Sequence, residues 1–146
     1  MRAFTRTIWI SRPPDAVFDF FVDFDRGPEW RSYVRTMRRL DSGPIAVGSR
    51  IHVIMDLASE DYSFELEVLA CDRPSRWRHQ ADEVDLISIT EYTFEAEPQG
   101  TLVTMRTDVK PASAYGWLSL PLIWLHRNRP YRDQLPKLKQ IMESAD

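Results

Sequence analysis

The side chains best suited to move a proton, hold a metal or attack a carbonyl are few in this sequence. They are His52, His79 and His126, the single Cys71, and the aspartates Asp15, Asp19, Asp23 and Asp25. The first three aspartates recur at the spacing of one helix face, and the segment lacks the alternating oxygen ligands and distal glutamate of a calcium loop. They read as a solvated face, with Asp15 complementing the positive end of a helix. No metal site and no cofactor are expected. There is no G-x-S-x-G nucleophile turn, and Cys71, beside Asp72 and Arg73, reads as a structural thiol. "GPIAVG" lacks the strand, loop and helix order that a phosphate loop needs. That leaves His79 and Tyr92. If "RWRHQA" turns Trp77 inward, period-two alternation turns His79 inward as well, and in the next strand Thr90, Tyr92 and Phe94 share that face. His79 and Tyr92 are therefore the candidate catalytic or ligand-orienting pair, able to fix one oxygen or pass a proton. His52 takes the outer phase, because Ile51, Val53 and Met55 take the inner one.

The elements that must position these residues can be read from periodicity. "TRTIWI" at 5–10 alternates as a strand and is stopped by two prolines. Pro14 fits the first turn of a helix, whose apolar stripe is Val17, Phe20, Phe21 and Phe24. Gly27-Pro28 breaks that helix, and "PEWRSYV" is long enough for a second short one. From Arg35 the period changes to two. "RTMRRLD", "SRIHVIMDLA", "DYSFELEVLACD", "SRWRHQAD", "LISITEYTFEAE" and "TLVTMRTDVK" are predicted as successive strands separated by short turns. Short connections favour an antiparallel meander. Helical spacing returns from about Ala114 and ends in "LPKLKQIMES". The order predicts an α+β fold with segregated helices. In it a curved antiparallel sheet of about seven strands is covered by a long C-terminal helix, with two short helices after the first strand. One helix about 10 Å across cannot fill so broad a concavity, so large side chains or a cavity must occupy the rest.

A chain of 146 residues is expected to form one domain over 1–146, large enough to bury a core without disulfide staples. With 43 % hydrophobic and 28 % charged residues, it is not of disordered composition. A net charge of -3 gives no general attraction to nucleic acid, and the basic pieces "RTMRRL" and "HRNRPYR" are flanked by acids. One cysteine excludes an intramolecular disulfide and points to a reducing cytoplasm. The most apolar run, Trp117 to Leu125, is about half the ~20 residues needed to span a bilayer, so stable membrane insertion is not expected. That run suits core or lid duty, a homodimer contact or a membrane-touching lip.

Five pieces in this order carry a resemblance: the strand followed by "PPDAVFDFFVDFDRGPEW", then "GPIAVGSRI", "VLACDRPSRWRHQ", "YTFEAEPQGTLVTMRTDV" and the closing "LPKLKQIME". Together they resemble the SRPBCC or START-like superfamily with the helix-grip fold, in its polyketide cyclase/dehydratase-like branch. The resemblance implies an internal cavity between sheet and C-terminal helix and a hydrophobic small-molecule ligand, lipid-, polyketide- or aromatic-like. The expected lining is Phe18, Phe21, Phe64, Leu66, Trp77, His79, Tyr92, Phe94, Met105, Trp117 and Trp124. Two alternatives accompany the binding reading: a cyclase/dehydratase using the same cavity, and a protein-interaction module such as a chaperone co-regulator. The chain departs from the superfamily at Pro130 and Pro136, which fall inside the expected gripping helix and predict a break or kink near Arg129-Pro130.

Overall fold

Alternation of apolar and polar residues produces seven strands, and the pairing pattern makes them one sheet. A computed structural model describes residues 2–31, 34–57, 60–82, 86–112 and 134–144. The strands are β1 (Arg2–Ile10), β2 (Val34–Arg39), β3 (Arg50–Leu57), β4 (Glu60–Asp72), β5 (Arg76–Asp82), β6 (Leu86–Glu97) and β7 (Gly100–Pro111). All neighbours are antiparallel, in the order β1-β7-β6-β5-β4-β3-β2. Successive strands from β2 onward are therefore hairpin neighbours, as their short turns require. Only β1 and β2 are consecutive yet stand at opposite edges. The segment between them must cross the sheet, and it does so over the inner face.

That crossing segment holds α1 (Pro14–Phe21), a 3-10 turn (Phe24–Arg26) and α2 (Gly27–Trp30). Pro14 occupies the first helical turn as expected, while Pro13 at the N-cap offers no side-chain cap. Asp15 Oδ1 instead accepts the Ala16 N–H at 3.0 Å. The helix stops at Phe21, earlier than Gly27-Pro28. Asp23 adopts an extended ψ of 86°, which re-aims Phe24 so that its ring reaches Trp77, 5.8 Å between centroids. The inner stripe is accordingly Val17, Phe18, Phe21 and Phe24. Phe20 is only partly buried, with the Arg26 guanidinium 4.6 Å above its ring.

Curvature has a local cause. Register shifts between Val68 and Ala70 in β4, and between Val34 and Thr36 in β2, insert extra residues that bend and twist the strands. The concave side then collects Ile51, Val53, Leu66, Val68, Trp77, Phe94, Val103 and Met105 in one core cluster.

The C-terminal helix is described over 134–144 and labelled α3, with Leu135, Leu138 and Met142 on its buried side at helical spacing. Pro136 is exposed near the beginning of this stretch. Pro130 and the run from Trp117 to Leu125 lie outside the described residues. Two polar clamps fix α3 to the sheet edge. Lys139 Nζ donates to the Trp9 carbonyl (2.7 Å) and to Glu143 Oε2 (2.8 Å), and Glu143 Oε2 also accepts the Ser11 N–H (3.0 Å). At the far end of α1, Asp19 accepts two hydrogen bonds from Arg73, at 2.7 and 2.8 Å, tying the helix to the β4–β5 turn.

Candidate functional site

The inner face of β5 and β6 is set by register. Trp77 pairs with Tyr92 and His79 with Thr90, so these four side chains form a square on the concave side. Phe21 of α1 is lowered onto it, with ring centroids 4.5 Å from Tyr92, 5.4 Å from Phe94 and 5.7 Å from Trp77. Phe18 meets Phe94 edge-on at 5.4 Å. These separations are ordinary aromatic contact, so the α1 end of the concave side is filled by packed rings.

Polar groups are threaded through this aromatic cluster. The Trp77 indole N–H donates to His79 Nδ1 at 2.9 Å. That bond needs a lone pair on Nδ1, so His79 is the neutral tautomer with its proton on Nε2. Burial and the nearby Arg31 guanidinium push the His79 pKa down to about 3, in agreement with the hydrogen bond. The residue as a whole is half-buried. Tyr92 Oη donates to Gln134 Oε1 of α3 at 3.3 Å, joining sheet to helix across the core. Thr90 and Thr107 share a buried hydroxyl–hydroxyl hydrogen bond at 3.0 Å between β6 and β7.

Of the residues proposed as lining, Phe18, Phe21, Leu66, Trp77, Tyr92, Phe94 and Met105 are buried in the one core cluster, and Phe64 is partly buried against it. Trp117 and Trp124, like His126, lie outside the described residues. His52 stands on the outer phase of β3 opposite Arg38 and Glu65. Cys71 is half-buried, and burial followed by the adjacent Asp72 raises its thiol pKa. No cluster that could hold a metal occurs among the described residues. In the first basic piece Arg35 pairs with Asp61 at 2.9 Å and Arg39 with Asp41 at 3.2 Å, and "HRNRPYR" lies outside the described residues. No described helix is long and apolar enough to cross a membrane.

Two residues of the site carried no sequence signal. Gln134 sits directly before the leucines of α3, and only the fold brings it to Tyr92. Arg31 follows α2 and is buried, 7 % exposed, against Trp30, Phe21 and Phe24. Burial lowers its pKa to about 10, with Tyr92 acting slightly in the other direction. An arginine is normally on the surface, so sequence alone gave no reason to place it inside.

The family described as polyketide cyclase / dehydrase and lipid transport matches residues 1–143. The chain belongs to that family. No curated protein sequence matches significantly. Among solved structures, this family member resembles the Zhui aromatase/cyclase of Streptomyces sp. R1128, with a TM-score of 0.82 and 14 % identity over 97 % of this chain and 93 % of that one. A START superfamily protein from Mycobacterium smegmatis gives 0.79 at 12 % identity, over 99 % of both chains. The di-domain aromatase/cyclase BexL gives 0.80 at 16 % identity, covering 99 % of this chain but 50 % of BexL, so the polyketide cyclase / dehydrase-family chain spans about half that protein. At such identities the likeness is one of fold, the helix-grip arrangement of a curved seven-stranded sheet with a C-terminal helix.

Proposed function

We infer that the protein binds an apolar small molecule on the concave side of the sheet. One observation supports this reading above the rest. Away from the packed rings of α1, apolar side chains on the inner phase of β2, β3 and β4 stay partly exposed: Val34, Met55 and Phe64. Val34 pairs with Met55, and Phe64 with the buried Val53, so these residues form a continuous inner strip. A concave apolar strip bordered by a few polar groups is the usual make-up of a ligand site. His79 lies on the same concave side and is also partly exposed. Being neutral with a proton on Nε2, it can donate to a ligand oxygen.

Native mass spectrometry of the protein titrated with an apolar amphiphile should show a one-to-one adduct. Phe64→Ala should weaken that adduct about tenfold, because the ring supplies contact area worth roughly 1.5–3 kcal/mol when fully covered. No adduct with any apolar probe would remove the reading.

The second reading is a cyclase/dehydratase that folds a poly-carbonyl chain in the same space. What favours it is the family's description together with two hydrogen-bonding groups, His79 and Tyr92, one strand apart. With a pKa near 3, His79 would orient and polarise a carbonyl instead of acting as a general acid at neutral pH. Binding retained with turnover lost in His79→Ala and Tyr92→Phe would select the enzyme.

A further inference from the structure

Arg31 presents an unusual problem for a folded protein. Its Nη2 donates to the Phe21 carbonyl oxygen at 3.3 Å, and its Cζ lies 3.9 Å from the Trp30 ring centroid and 5.0 Å from that of Phe21. Nη1 is buried, and among the described residues it has no acceptor and no acid pairs with the guanidinium. The preceding residue repeats the pattern, since Trp30 Nε1 is also buried without an acceptor among the described residues. Adjacent residues thus bury two N–H donors and a full positive charge against π faces and one carbonyl. An uncompensated buried cation is strongly unfavourable. Arg73 and Arg76, by contrast, have the carboxylates of Asp19 and Glu91. The field of Arg31 also reaches the concave side, where it helps hold His79 neutral.

We propose that Arg31 is the receptor for an ionised carboxylate at one end of the ligand, whose apolar body lies along the strip of Met55 and Phe64. The proposal rests on the apolar-binding reading and adds a chemical class to it. A guanidinium matches a carboxylate in both charge and hydrogen-bond geometry, and the pair strengthens where water is excluded. A carboxylate would supply the acceptor that Nη1 lacks and the charge that the surrounding rings cannot.

The test is a calorimetric titration of wild type and Arg31→Met with decanoate and with decanol, at neutral pH and equal ionic strength. Wild type should bind decanoate at least about tenfold more tightly than decanol, the factor a charged hydrogen bond commonly confers. Arg31→Met should lose the preference, binding the two probes with about equal affinity. Equal wild-type affinities would overturn the carboxylate assignment while leaving apolar binding intact, and so would a preference that survives in Arg31→Met. Binding of neither probe would remove the binding reading and this proposal with it. The wild-type comparison decides the charge preference even if Arg31→Met fails to fold. Arg31→Lys, which keeps the charge, should retain a reduced preference.

Discussion

At the scale of single residues, the site is a set of donors with few acceptors. His79 gives this a measurable consequence. Its folded pKa is about 3 against an ordinary value of 6.5, so between those pH values the unfolded chain binds a proton that the folded protein refuses. Stability must therefore be complete above pH 6.5 and fall as pH drops through the window. Urea titrations as a function of pH should show this loss, and His79→Gln, which can still accept the Trp77 N–H, should flatten the profile there. An unchanged profile would mean that His79 titrates normally. Arg31 makes the complementary case. Replacing a buried cation that lacks a counter-charge by Met should raise the stability of the ligand-free protein by about 1 kcal/mol. A clear loss of stability in Arg31→Met would show instead that the three aromatic faces compensate the charge by themselves.

At the scale of elements, the account turns on how the first strand, the crossing helices and α3 are held together. Gly100 opens β7 where β1 closes on it. A Cβ there would stand 2.5 Å from the Ile10 carbonyl oxygen and 2.6 Å from the Trp9 ring. The backbone oxygen is fixed by the Trp9–Leu102 and Ile10–Thr101 register and cannot step aside. Gly100→Ala should therefore cost about 1–3 kcal/mol, read as a lower denaturation midpoint. Glu143 holds Ser11 and Lys139 on half-buried ground near the surface, so Glu143→Ala should cost about 1 kcal/mol while speeding amide exchange across α3. The strands were legible in the sequence because alternation and short turns are local signals, and each predicted run became a strand of the sheet. The end of α1 was not. Val17, Phe20, Phe21 and Phe24 fit an uninterrupted helix, whereas tertiary contact with Trp77 draws Phe24 into a 3-10 turn and leaves Phe20 only partly buried. His79 and Tyr92 were legible by phase alone. Arg31 and Gln134 were not, since a buried polar residue is identified by what surrounds it and its partners are distant in sequence.

At the scale of the whole molecule, the sheet order places β1 and β2 at opposite edges and forces the helical segment across the concave side. That crossing divides the concavity into an end filled by rings and an apolar strip left partly open, and the division underlies the functional reading. The most direct test is methionine-methyl NMR during titration with an apolar ligand. Met55 belongs to the open strip, whereas Met105 is fully buried in the core. Saturable shifts are expected at the Met55 methyl and the His79 ring, with His52 on the outer phase unmoved. Shifts confined to outer-face residues, or none at Met55 at saturation, would contradict binding on the open strip.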